Sequence, residues 1–131
     1  MFREVKHTGD IAIYVESSSL EGLFYDATIG MLCATNIDFS RKGKLYIENI
    51  AITSFDYESL LVDWLNEVIY KLNNGLFLLN FDIKLDNLNL LNTCYFKRLS
   101  NINCKIKSVT YNNLNIININ GLYKCTLVFD V

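Results

Sequence analysis

The sequence predicts an α+β fold in which two helices pack against mostly antiparallel sheet, and three observations predict it. Two stretches, opening near Leu20 and at Tyr57, set apolar residues at helical spacing behind side chains suited to capping a helix. Runs with a two-residue period outnumber them and crowd the second half of the chain. Between two of those runs stands Asn120-Gly121, a pair that accepts positive φ and is the strongest short hairpin signal available. At 131 residues the chain can bury a real core, so residues 1–131 are expected to form one domain.

Taken in order, Phe2 to Val5 reads as a short strand, turned back through His7-Thr8-Gly9 into a second strand. There Ile11, Ile13 and Val15 alternate with Asp10, Ala12, Tyr14 and Glu16, the period of a half-buried strand. Ser17 to Ser19 breaks the pattern, and Ser18 with Glu21 has the form of a capping box. Behind it Leu20, Leu23, Phe24, Ala27, Met31 and Ala34 make the apolar stripe of a first helix, with Met31 as core filler. Residues 36–43 are polar and loop-like, and 44–52 are strand-like with imperfect alternation. Asp56 is the natural cap of a second helix running to about Leu72, whose buried stripe is Leu61, Trp64, Leu65, Val68 and Leu72. Asn73-Asn74-Gly75 ends it with residues that tolerate a left-handed conformation.

The remainder reads as strands. Phe77, Leu79, Phe81, Ile83 and Leu85 form one apolar face, alternating with Leu78, Asn80, Asp82 and Lys84. Residues 87–89 turn the chain, 90–99 return, and Lys105 to Tyr111 is a further strand. A hairpin begins at Asn115, and the last strand, Tyr123 to Val131, sets Cys125, Leu127, Phe129 and Val131 against Lys124, Thr126, Val128 and Asp130.

Composition excludes several classes. The chain is 51% hydrophobic, yet no apolar run approaches the roughly 20 residues that cross a bilayer, so a soluble protein without a membrane partner is expected. No apolar stretch follows the basic residues of MFREVKHTG, so no signal peptide is readable. Cys33, Cys94, Cys104 and Cys125 are scattered without a CxxC pair, which argues against zinc and redox motifs and for reduced, mostly buried thiols in a cytoplasmic setting. A net charge of −2 gives no global attraction to nucleic acid, so any such contact must be local or indirect. Tyr95, Phe96, Lys97 and Arg98 could form a small basic patch with aromatics interleaved, and an ordinary strand exterior explains them equally well.

Two stretches carry candidate chemistry. HTGD places the only histidine, a hydroxyl, a glycine and Asp10 where a loop meets a strand. At the other end Asp130 precedes Val131 in an apolar strand. Should these strands lie side by side, Asp10 and Asp130 would converge with main-chain oxygens, a hard-oxygen set suited to Mg²⁺, Mn²⁺ or Ca²⁺ and unsuited to zinc. Solvated acids at strand ends account for the same residues. Asp63 and Glu67, four apart on the second helix, share a face that is either solvated or open to a weak cation or partner contact.

The chain resembles the archease family, small proteins that serve as cofactors to RNA-splicing ligases of the RtcB type. KHTGDIAI resembles the family's DHTADIGI, SLEGLFYDATIGML its first helix, and DYESLLVDWLNEVIY its LEALLYDWLNELLY helix. IKSVTY resembles VKAVTYH, and the closing VFDV resembles VDV or VDI. The order and spacing of these motifs span nearly the whole chain.

The resemblance implies an archease-like two-layer domain that activates an RtcB-type RNA ligase and is not itself the catalyst. It would promote guanylylation of the ligase and repeated turnover in tRNA splicing or RNA repair, meeting RNA through the ligase, with an RNA helicase as a further candidate partner. Asp10 and Asp130 would ligate a divalent cation, with the Val131 main chain completing the set. Lys107 falls on a basic position used for activity, His7 and Thr8 match the loop beside the metal, and Glu67 matches the acidic end of DWLNE. Lys6 stands for the family's first acid, Gly9 for its alanine and Asn112 for a histidine, which removes any imidazole role at that last position. A metal-dependent phosphohydrolase using the same aspartates and a chaperone-like binding module are the alternatives. Against the first, no nucleophile stands beside a base and no phosphate-cradling glycine loop is present.

Overall fold

The structure, a computed structural model, describes residues 1–5, 9–111 and 113–131. Its elements in chain order are β1 (Phe2–Val5), β2 (Ile11–Ser17), α1 (Leu20–Thr35), β3 (Leu45–Thr53), α2 (Tyr57–Asn73), β4 (Leu76–Asp86), β5 (Asn89–Arg98), β6 (Ser108–Thr110), β7 (Ile117–Ile119) and β8 (Leu122–Asp130). All described strand pairs are antiparallel, and they form two sheets, one in the order β1-β2-β8-β6 with β7 also on β8, the other β3-β5-β4. The α+β expectation of two helices on antiparallel sheet holds.

The division into two sheets was not legible from the strand patterns, and it changes what the helices do. Helix α1 lies against β1, β2 and β8 of the first sheet and against β4 of the second, while α2 lies against β3, β4 and β6. Each helix thus joins both sheets through one apolar cluster that takes in Phe24, Met31, Trp64, Phe96 and Phe129. Gly30 lets α1 come close to the first sheet, since a Cβ there would stand 3.0 Å from the Phe2 ring and 3.2 Å from Ile13.

Three local readings are corrected. The cap of α1 is Ser19, not Ser18: its Oγ accepts from Gly22 N–H at 3.0 Å, and Glu21 points away to accept from Leu85 N–H at 3.4 Å. In β4 the register slips between Leu78 and Asn80, so Leu79 leaves the core face and is 37% exposed while Leu78 turns inward. A bulge of this kind inserts one residue and reverses the alternation that precedes it. The strand expected over 105–111 is only Ser108–Thr110, since the ladder to β8 covers those residues, with one further bond from Lys107 N–H to Asp130 O.

Elsewhere the signals translate directly. Asp56 caps α2 through Ser59 N–H at 2.7 Å, and Gly75 takes the left-handed turn after it at φ 83°. Asn120 and Gly121 both take positive φ, 53° and 83°, as the two-residue hairpin turn requires. Cys94 and Cys125 are buried, Cys104 is half-buried and Cys33 is exposed, so burial is less general than expected. Burial pushes the Cys94 and Cys125 thiols up to about 12, which keeps both protonated and inert at neutral pH. Among the described residues no helix is long and apolar enough to cross a membrane.

Candidate functional site

The first sheet brings the two ends of the chain together. Strand β2 pairs with β8 so that Ile11 faces Phe129, and the same register carried one residue past the strand would set Asp10 across from Asp130. On its other side β8 pairs with β6, where Asp130 faces Ser108. Alternation puts Phe129, Leu127 and Cys125 into the core and turns Asp130 outward. Asp130, exposed, and Ser108 thus share a rung, and the half-buried Asp10 stands just before β2 at the same end of the sheet.

Asp130 is held in place. Ser108 Oγ donates to Oδ2 at 2.9 Å and Thr110 Oγ1 donates to Oδ1 at 3.2 Å, while the main-chain oxygen accepts from Lys107 N–H at 2.8 Å. An ionised carboxylate has about four acceptor positions, so two hydroxyl donors leave lone pairs for a further partner. Oxygen donors from two aspartates and nearby main chain fit a hard cation such as Mg²⁺, Mn²⁺ or Ca²⁺. Among the described residues no group of three or more histidine, cysteine, aspartate or glutamate side chains gathers, so main-chain oxygens would have to complete the set. Ser108 and Thr110 were not singled out from sequence. Their signal was the two-residue period of KSVTY, which puts both hydroxyls on one face opposite Val109.

The other candidates are distributed unevenly. Val131 follows β8 and is 44% exposed, so it is not the core residue its place in the alternation suggested. Lys107 is exposed and abuts Asp130 through its backbone. His7 and Thr8, with the departures at Lys6 and Asn112, lie outside the described residues. Glu67 is half-buried on α2, with Lys71 Nζ 3.9 Å away, and the same lysine donates to Glu48 of β3 at 2.9 Å. Its carboxylate therefore belongs to an ion network between α2 and the second sheet.

The DWLNE motif proves to be a set of ties. Asp63 accepts from Ser54 Oγ at 2.6 Å, Trp64 Nε1 donates to Thr28 Oγ1 at 2.8 Å, and Asn66 Oδ1 accepts from Val109 N–H at 2.9 Å. The last of these anchors β6, the strand that carries Ser108 and Thr110, to α2. Tyr111, which follows β6, donates to Asp56 Oδ2 at 3.3 Å and accepts from Ser59 Oγ at 3.1 Å, a second tie to the start of the same helix. Asp63 and Glu67 thus have separate partners and do not act as a pair.

The geometry has relatives among known proteins. Residues 2–131 match the model of the Archease protein family (MTH1598/TM1083). Protein archease of Methanosarcina mazei is 26% identical over an alignment covering 99% of this chain and 95% of that protein. Protein archease of Methanosarcina acetivorans is 33% identical over 69 residues, which are 53% of this chain and 47% of that protein. Among solved structures, an archease of Thermotoga maritima, described as a possible chaperone, superposes with a TM-score of 0.72 at 22% identity, covering 98% of this chain and 96% of its own. Methanobacterium thermoautotrophicum protein 1598 gives 0.70 at 21% identity, covering 99% and 98%.

Proposed function

The chain belongs to the archease family, and from that premise we propose that it is a non-catalytic activator of an RtcB-type RNA ligase in tRNA splicing or RNA repair. The observation that supports the reading is Asp130 paired with Ser108 at the end of the first sheet where Asp10 leads into β2, with both carboxylate oxygens of Asp130 accepting from hydroxyls. In this reading Asp10 and Asp130 hold a divalent cation with a main-chain oxygen at Val131, and Lys107, exposed beside them, faces the ligase. A cation held at such an edge supplies offset of phosphate charge on GTP during ligase guanylylation. The protein's own part is positional. Ser108 and Thr110 keep the Asp130 carboxylate in one orientation, and Asn66 and Tyr111 keep β6 in register with α2.

The test is single-turnover GTP labelling of a purified RtcB-type ligase, with and without this protein, comparing wild type with Asp10→Ala and Asp130→Ala variants that circular dichroism shows to be folded. Faster labelling by wild type alone is expected. Equal stimulation by the aspartate variants would overturn the site, and no stimulation by any form would overturn the function.

A second reading has its own observation. The outer face of β3 and β5 leaves Leu45, Ile47, Leu91 and Tyr95 exposed, with nothing packed over them among the described residues. A chaperone-like module would use such a face to hold apolar segments of a client. Suppression of client aggregation that needs no metal and survives Asp130→Ala would favour this reading over the first.

A further inference from the structure

The second sheet gathers charge at one end. Its last rungs pair Leu45 with Lys97 and Phe77 with Lys97, and the main chain of Arg98 donates to Lys44 O at 2.8 Å. Into the same rim the loop before β3 brings Arg41 and Lys42, because Arg41 Nη1 donates to Ser100 O at 2.9 Å. Five cations, Arg41, Lys42, Lys44, Lys97 and Arg98, thus sit together in a chain whose net charge is −2.

Their charge is not neutralised locally. Among the described residues none of the five lies within 4.0 Å of a carboxylate; the ion pairs fall at Met1, Lys71 and Lys84. Where they are tied, they are tied to neutral carbonyls: Lys97 Nζ donates to Phe39 O at 3.0 Å and Arg98 Nη1 to Asn74 O at 3.2 Å. Such bonds fix a cation's position without making an ion pair. The acid nearest in sequence is Asp38, whose carboxyl is held below the usual carboxylate range by Ser40 first and then by the charges of Arg41 and Lys97.

Aromatic faces are interleaved with these cations. Lys44 Nζ and Arg98 lie over the Tyr46 ring, 5.4 and 5.5 Å from its centroid. Phe39 is 51% exposed although its ring stacks on Phe77 at 4.8 Å. Tyr95, 41% exposed, shares the outer face of β5 with Lys97. Fixed cations beside exposed rings are the combination that holds a single strand, where phosphates meet the cations and bases stack on the rings. An acidic peptide would use the cations and leave the rings idle.

We propose that this rim of the second sheet binds single-stranded nucleic acid, with Arg41, Lys42, Lys44 and Arg98 on the phosphates and Phe39 and Tyr95 under the bases. The contact is direct, and it is independent of the aspartates on the other sheet. Fluorescence anisotropy with a labelled single-stranded RNA of about 12 nucleotides tests it on the intact protein. Binding is expected at about 50 mM salt, weakening with salt at a logarithmic slope of about −3 for four to five neutralised phosphates. Lys42→Glu with Lys44→Glu should weaken it at least ~10-fold, and Phe39→Ala by about 5-fold or more. The charge-matched pair Lys84→Glu with Lys124→Glu should change it by less than about 2-fold. DNA of the same sequence, run in parallel, identifies which polynucleotide the rim prefers. The proposal is overturned by no binding at low salt, by equal loss in both charge-reversed pairs, or by a duplex or a polyglutamate of equal charge binding as tightly as the single strand.

Discussion

Ser108 and Asp130 face each other across the β6–β8 ladder, and the serine hydroxyl donates to Asp130 Oδ2 at 2.9 Å. Removing that donor leaves only the longer Thr110 bond, at 3.2 Å, to orient the carboxylate, and does not remove its charge. If Asp130 is a cation ligand, Ser108→Ala should weaken Mn²⁺ binding by about 10-fold, the usual scale for losing a group that orients a ligand. Asp130→Ala should abolish it. Titration calorimetry of the folded proteins measures both, and unchanged affinity in Asp130→Ala would remove this residue from the site.

Thr28 and Trp64 tie the two helices inside the core, both fully buried. Trp64 Nε1 donates to Thr28 Oγ1 at 2.8 Å, and Thr28 in turn donates to Phe24 O at 2.7 Å. Thr28→Val keeps the shape and leaves the indole N–H buried without an acceptor, at a cost of about 1–3 kcal/mol. Urea denaturation followed by tryptophan fluorescence would show it as a lowered midpoint with the slope unchanged.

Gly43 stands where the loop before β3 passes the end of β5. A Cβ there would run into the main-chain oxygen of Arg98 and come within 2.9 Å of the Lys97 side chain. Backbone cannot yield as a side chain does, so Gly43→Ala is expected to destabilise by about 1–3 kcal/mol. The thermal midpoint should fall, and because the same rung positions Lys97 and Arg98, oligonucleotide binding should weaken with it.

Asp56 links helix α2 to pH. Its carboxyl lies below the ordinary value of 3.8, first because Ser59 N–H donates to it, with the Ser59 and Tyr111 hydroxyls adding to the effect. A depressed folded-state value means that the stabilisation is complete above the unfolded-state value and is lost as pH falls through the folded one. Asp56→Asn keeps a capping oxygen and removes the titration, so its stability should fall less steeply below about pH 4 than that of wild type. Asp56→Ala should cost about 1 kcal/mol at neutral pH. Parallel acid-unfolding curves for wild type and Asp56→Asn would show that the acid loss arises elsewhere.

By itself the sequence determined the local structure wherever one residue type answers one local need. Asp56 marks the start of α2 because its side chain can accept from Ser59 N–H, and Asn120-Gly121 marks the hairpin because both can take positive φ. The stripe of α2 and the alternation of β8 through Phe129 are read from period alone, since one face must leave water. The motifs also proposed Asp10 and Asp130 as partners, and the β2–β8 ladder, which reaches Ile11 and Phe129, brings the strands that flank them side by side.

Tertiary structure decided the rest, because long-range pairing carries no local signature. Nothing in the strands says that β3, β4 and β5 form a sheet of their own, and that partition is what sends α1 and α2 to contact both sheets. The bulge that exposes Leu79 arises from matching β4 to β5, not from any preference of leucine. Ser108 and Thr110 became supports for Asp130 only when β6 docked on β8, and Lys71, which helical spacing already sets beside Glu67, reached Glu48 because α2 turns that face toward β3. The gathering of Arg41, Lys42, Lys44, Lys97 and Arg98 follows the same rule, since segments more than fifty residues apart meet at one rung.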